Sequence, residues 1–280
     1  MILIGLFKKL VIADRFAEYV DIVFSNPEAY GSTPLILGAI LFSFQIYCDF
    51  SGYTDIAIGS AKILGFNLMP NFKGPYFSKG IRDFWRRWHI SLSTWFRDYL
   101  YIPLGGSKVP KRKIYRNLLI VFVVTGLWHG ASWVFLIWGL FHGFFIILER
   151  TSFGKIITNL PMGITAFYTY TIVTIGWIFF RSESIAQAFL YFKGMFNLSS
   201  FDITEYNIFN DATQSIELHI SLIFLVVIIP VHYFENKYDI FTKLLNSPLI
   251  YRWISYVLLI FSISIFGAYG ENSTFIYFQF

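Results

Sequence analysis

Residues 117–148 read NLLIVFVVTGLWHGASWVFLIWGLFHGFFIIL, a stretch without one Asp, Glu, Lys or Arg. As a single straight helix it would be about 48 Å long at 1.5 Å per residue. That is too long for one crossing of a ~30 Å hydrocarbon core and too short for two crossings joined by a loop. Gly126, Gly130, Gly139 and Gly143 offer places to break, so the stretch predicts a pair of discontinuous or strongly tilted helices. Two imidazoles, His129 and His142, stand inside it. A polar ring placed in hydrocarbon without a hydrogen-bond partner costs roughly 2–7 kcal/mol, so each is either satisfied by a neighbour or kept for a use.

The rest of the chain shares this solvent. Of 280 residues, 56% are hydrophobic, 21% aromatic and only 14% charged, against ~25% charged in a soluble domain. Further apolar runs at 34–48, 164–180, 216–233 and 251–268 approach the ~20 residues a spanning helix needs. The fold class is therefore all-α: a polytopic helical membrane protein with interfacial and discontinuous helices, read as one membrane domain over residues 1–280. Its formal charge of +5 does not point to nucleic acid, because the cations gather in short segments beside apolar runs, where they orient a protein in a bilayer. Cys48 is the sole cysteine and excludes an internal disulfide framework. The opening MILIGLFKKLVIADRF carries its lysines after the apolar residues, unlike a signal peptide, and reads as the interior of a longer domain whose upstream spans are missing.

Residues 1–24 predict a short amphipathic or partly embedded helix interrupted at Lys8-Lys9, with a turn from Asn26-Pro27 to Pro34. Asp49 and Asp55 follow the 34–48 run at once. They either find partners at membrane depth or, for Asp49 and Ser51, cap a helix end. NLMPNFKGPYFS (67–78) reads as an irregular connection. Beyond it, IRDFWRRWHISLSTWFRDYLYIPLGG (81–106) predicts an interfacial amphipathic helix. One face holds Trp85, Trp88, Leu92, Trp95 and Tyr99, the other Arg82, Arg86, His89, Ser93 and Arg97. The basic loop GGSKVPKRKIYR (105–116) is placed on the cytoplasmic side, and its charges need no role beyond setting topology. Entering from that loop, His129 lies ~18 Å in, close to the bilayer midplane. SESIAQAFLYFKGMF (182–196) reads as a surface-lying amphipathic helix, FDITEYNIFNDATQS (201–215) as a polar loop, and ENSTFIYFQF (271–280) as an aromatic terminus seated at the interface.

No HExxH, HxxxH or cysteine cluster is present, so no metal site is expected. Neither a GxSxG elbow nor a P-loop occurs. His129 is the best candidate for chemistry. Its depth marks it, its flanking glycines allow close approach, and Trp128 and Trp133 can wall a channel. A buried imidazole is neutral and can accept a proton. His142 is read as structural.

Four segments, DFSGYTDIAIG (49–59), FWRRWHISLSTWFRDYLYIPLGG (84–106), GLWHGASWVFLIWGLFHG (126–143) and FIYFQF (275–280), together resemble the membrane-bound O-acyltransferase family. The resemblance is closest to the bacterial branch holding the alginate O-acetylation subunit and the teichoic-acid D-alanyl transferase. YIPLGG followed by a basic loop is more like the O-acetylating group. The resemblance implies a multi-pass protein of the bacterial cytoplasmic (inner) membrane, with His129 catalytic at the centre of a tunnel and His89 the second functional position. It implies no bound cofactor. The donor is acetyl-CoA or another acyl thioester, and the acceptor is an exported polysaccharide or an acetyl-relay protein outside the membrane. On that scheme Arg82, Arg86 and Arg97 receive donor phosphates, and Asp49, Ser51, Tyr53, Asn71, Trp85 and Trp128 line or brace the tunnel. The alternatives are D-alanyl transfer to teichoic acid, a proton-coupled transporter using His129 and Asp49, and an inactive fragment.

Overall fold

A computed structural model describes residues 1–237, 243–244, 246–269 and 275, and every regular element among them is helical. The aromatic terminus lies outside the described residues except for Phe275. The chain folds as two compact units, Met1–Pro70 with Tyr191–Phe280, and Asn71–Leu190.

In the first unit the expected interruption at Lys8-Lys9 is a change of helix type and not a break. α1 (Ile2–Leu6) widens into a π-helical segment, Phe7–Ala13, and continues as α2 (Asp14–Ser25). A π turn rotates successive side chains through a smaller angle than an α turn, so consecutive lysines can face the same neighbour. That neighbour is α3 (Ser32–Ile63), which overruns the expected span by fifteen residues (48 to 63) and continues through Asp49, Ser51 and Asp55. Helix-end capping by Asp49 or Ser51 is thereby corrected: both lie mid-helix, and the carboxylates find cationic partners instead. Lys8 donates to Asp55 at 2.8 Å, while Lys9 bridges Asp49 at 2.8 Å and Asp14 at 2.6 Å. Gly5 and Gly52 bring the two backbones together, since a Cβ on either would stand 2.5–2.7 Å from the other's carbonyl oxygen.

Around this pair Tyr191 stacks on Phe24 at 4.3 Å and donates its hydroxyl to the Leu35 carbonyl at 2.7 Å. Arg15 is ion-paired with Glu217 on α11 (Ala212–Lys237) and donates to the carbonyl of Phe266 at the end of α12 (Leu249–Phe266). The apolar runs at 216–233 and 251–268 thus form the helices expected of them. α3 is mostly buried, whereas α12 exposes its apolar side chains as a lipid-facing helix does.

In the second unit the 81–106 segment departs from the single amphipathic helix the periodicity predicts. α4 (Ile81–Arg87) stops at Trp88, α5 (Ile90–Phe96) restarts after His89, and a π-helical turn covers Arg97–Tyr101. The predicted aromatic face is split by this break: Trp88 is 1% exposed while Trp95 and Tyr99 are 52% and 69% exposed. The basic segment is also only partly a loop. Gly105 and Gly106, both at positive φ, make the turn, and α6 (Lys111–His129) already contains Lys111, Arg112, Lys113 and Arg116.

α6 and α7 (Trp133–Leu148) are the two helices expected from 117–148. They break at residues 130–132 and return as an antiparallel hairpin. Three of the four glycines serve packing: a Cβ on Gly126 or Gly139 would run into the Phe135 or Phe122 carbonyl of the opposite helix, and Gly143 faces Leu119. α8 (Ser152–Asn159) then bends 82° from α7, and α9 (Met162–Arg181) is the expected 164–180 span. α10 (Ile185–Met195) is helical as expected, though Ala188 and Tyr191 are fully buried.

Glu149, at the end of α7, holds α4 in place. Its two carboxylate oxygens accept from the backbone N–H groups of Ile81 at 2.7 Å and Arg82 at 3.0 Å, which α4 itself leaves without partners. Thr169 accepts from the Gly80 N–H at 2.8 Å. Glu149→Ala is expected to destabilise the unit by about 1.5–3 kcal/mol, because hydrogen bonds to charged groups are worth that much. Thermal unfolding in detergent measures it, and an unchanged melting temperature would show that α4 does not depend on this carboxylate.

Candidate active site

Of the residues singled out in the sequence, Asn71, Arg82, Trp85, Arg86, His89, Arg97, Trp128 and His129 belong to the second unit, while Asp49, Ser51 and Tyr53 belong to α3 of the first. Within α3, Asp49 is buried against Lys9, Ser51 is buried with its Oγ unpartnered among the described residues, and Tyr53 is exposed.

His129 is the last residue of α6, at the end opposite the basic first turn, and is 8% exposed. Its ring packs edge-to-face against Trp138 at 5.2 Å and Phe180 at 5.1 Å, with Trp128 at 5.0 Å. The same Trp128 ring lies 6.4 Å from His89, so one indole flanks both imidazoles. Trp128 is otherwise open, at 56% exposure.

His89 occupies the break between α4 and α5 with φ 44° and ψ 57°, and among the described residues it is the single non-glycine at positive φ. Such a conformation costs of order 1–3 kcal/mol and persists only where neighbours impose it. Asn71 is the imposing neighbour: its carbonyl accepts from the Ile90 N–H at 3.0 Å and its side-chain oxygen from the Ser91 N–H at 3.1 Å. Ser91 Oγ lies 3.4 Å from His89 Nδ1. Asn71 thus braces the chain at His89. The helical periodicity of 81–106 concealed this bend, which depends on a side chain from the preceding irregular segment.

A cavity of about 410 Å³ is lined by residues of α4, α5, α6 and α7, and neither His89 nor His129 is part of its wall. It reaches Ile90, next to His89, and Thr125, one helical turn before His129. Arg82, Trp85, Arg86 and Arg97 line it together, and Arg150 adds a further guanidinium. Arg97 is partly neutralised by Asp98 at 2.7 Å. The volume lies within the range of small-molecule sites, roughly 300–1,000 Å³. Its wall is mainly apolar, from Phe96, Leu118, Val121, Phe122 and Ile146, with the guanidinium groups as its cationic part. Sequence reasoning missed Arg150 and Glu149. Both follow an apolar run and read there as ordinary interface charges, and nothing in spacing ties Glu149 to a helix 68 residues earlier.

The fold and site together define a multi-pass α-helical membrane protein in which buried His129 and half-buried His89 flank one indole, with a cationic cavity lined by neighbouring residues of the same helices. The chain belongs to the membrane-bound O-acyltransferase family, whose profile matches residues 1–156 and so includes both histidines and the cavity. It is 42% identical over 199 residues to the peptidoglycan O-acetyltransferase of Helicobacter pylori, covering 70% of this chain and 38% of that protein. Identity to the probable alginate O-acetylase of Pseudomonas aeruginosa is 42% over 205 residues, or 72% of this chain and 39% of that protein. The teichoic acid D-alanyltransferase of Bacillus subtilis is 38% identical over 118 residues, or 38% of this chain and 30% of that protein. The chain thus spans about two-fifths of the length of the O-acetylating relatives it matches.

Proposed function

We propose that this chain carries the reaction centre of a bacterial inner-membrane O-acetyltransferase, passing acetyl from a cytoplasmic acyl thioester to a hydroxyl of a cell-surface or exported polysaccharide, or to a relay protein that serves one. The observation that carries this reading is buried His129 and half-buried His89 on either side of Trp128, with a cavity bearing Arg82, Arg86, Arg97 and Arg150 that reaches Ile90 and Thr125 on the same helices. A phosphate-bearing donor such as acetyl-CoA suits that cavity: guanidinium groups take the phosphates and the apolar wall takes the pantetheine arm.

In this mechanism the neutral His129 imidazole removes the acceptor hydroxyl proton as the oxygen attacks the thioester carbonyl. The C–S bond breaks, the imidazolium returns the proton to the departing thiolate, and the ester leaves with the acetyl group. General-base help of this kind is worth about 10²–10⁴-fold. His89, held in its bend by Asn71, orients the acceptor or shares the proton. A centre near the bilayer midplane lets the acetyl group pass while the polar donor stays on its own side.

Acetyl is favoured over D-alanyl because the O-acetylating relatives align over nearly twice as much of the chain. Arg86→Ala and Arg150→Ala are each expected to raise the apparent donor KM by about tenfold with little change in kcat, the result of losing binding shared by ground and transition states. Initial rates of acetate transfer in membranes, with acetyl-CoA varied, measure this. A KM equal to that of the parent in both variants would remove the cavity from donor binding.

A further inference from the structure

We infer that His142, which the proposed mechanism does not use, is a positioning residue for the two histidines that it does use. His142 is fully buried, and neither ring nitrogen has a hydrogen-bond partner among the described residues. For stability alone an apolar side chain would serve better there, since the ring's polar atoms are desolvated without compensation.

Its neighbours indicate what the ring is for. The imidazole packs edge-to-face on Trp85 at 5.1 Å and on Trp138 at 5.2 Å, and lies 6.4 Å from Trp177. Each indole leads to the site. Trp138 is itself edge-to-face with His129 at 5.2 Å. Trp177 packs on Trp88 at 5.0 Å, and Trp88 is the residue before His89. Trp85 lies on α4, the helix that delivers His89 and two cavity arginines. One ring therefore meets three indoles that lead to the His129 and His89 positions.

Shape explains the residue type. His142 Nε2 fits into a notch that Gly176 leaves open on α9, where an added Cβ would stand only 2.6 Å from that nitrogen. Imidazole is the smallest aromatic ring, and a six-membered ring reaches further and meets the α9 backbone. His142 on α7 thus locks α4 and α9 against the hairpin end that carries His129. A shift of the order of 1 Å at a reacting group can cost about 10²-fold in rate, so a remote wedge of this kind has kinetic leverage.

The test is a double-mutant cycle of Gly176→Ala and His142→Ala in the intact protein in membranes, with acetyl-CoA as donor probe. It rests on the acetyl-transfer reading for its kinetic arm, so a second arm follows His129 itself: the rate at which diethyl pyrocarbonate modifies it, read by mass spectrometry. Each single variant is expected to lower kcat by about 10- to 100-fold, with donor KM within about twofold and membrane abundance retained. The double variant should be no slower than His142→Ala alone, because the methyl acts by displacing the ring it no longer meets. Modification of His129 should accelerate several-fold in each variant as Trp138 loosens. Parental kcat together with parental modification rates would overturn the inference, as would effects of the two changes that simply multiply. If the parent protein transfers no acetyl group, the functional reading fails, and the modification rates alone decide for or against the positioning role.

Discussion

Replacing His129 with alanine is expected to lower surface O-acetylation by about 10²–10⁴-fold while leaving membrane abundance unchanged, because the substitution removes the proton acceptor of the proposed reaction. The ring sits at the C-terminal end of α6 and packs on Trp138 and Phe180. Its loss leaves space at a helix end beside the break at residues 130–132, where the backbone already ends its regular hydrogen bonding. A rate effect far larger than any effect on folding is therefore expected. The measurement is base-released acetate per cell, normalised to the protein in the membrane. Acetate at the parental level with parental abundance would end the catalytic assignment. His89→Ala read in the same assay separates the two imidazoles: a residue that orients the acceptor gives a smaller loss than the base itself.

The largest effect on stability is expected at Lys9. Its ammonium is shared by Asp49 and Asp14, whose side chains are 2% and 12% exposed. Lys9→Met takes that cation away and leaves two desolvated carboxylates competing for what remains. Removing one partner of a buried ion pair costs about 3–5 kcal/mol, because the remaining charge stays desolvated. A drop of that size would be seen as a lower melting temperature in detergent and reduced abundance in the membrane. Neutralising the carboxylates as well, with Asp49→Asn and Asp14→Asn in the Lys9→Met background, should recover much of the loss, since the penalty belongs to the uncompensated charge and not to the missing lysine. A Lys9→Met protein as stable as its parent would show that the cluster does not hold α3 to the preceding helix.

Both predictions turn on groups visible in the sequence, and they differ in how much of their setting was visible. The apolar runs at 164–180, 216–233 and 251–268 are helices because a backbone in hydrocarbon must satisfy its own hydrogen bonds, and length with hydropathy is enough to find them. The two-helix reading of 117–148 was accessible on the same grounds: its length fits neither one span nor two. Gly130 stands at the break as expected, whereas the other three glycines do not, for a physical reason. Glycine permits both a break and a close helix crossing, and one chain's sequence does not distinguish them. Gly126, Gly139 and Gly143 proved to be crossing points, which only the opposite helix reveals.

Asp49 and Asp55 announced a need for partners, since carboxylates at membrane depth require them. That the partners are Lys9 and Lys8, forty and forty-seven residues away, followed from the packing of a π-helical turn on α3. The bend at His89 was hidden because its cause, Asn71, lies in an irregular segment that carries no periodicity. Composition and apolar run length by themselves determined the solvent and the helical class, and the placing of histidines among apolar residues singled out His129 as the candidate base, because these depend on local chemistry. Tertiary structure alone decided which indoles flank His129, which arginines share a cavity, and that Glu149 fixes α4. Those outcomes depend on surfaces from distant segments meeting, and local chemistry does not encode that meeting.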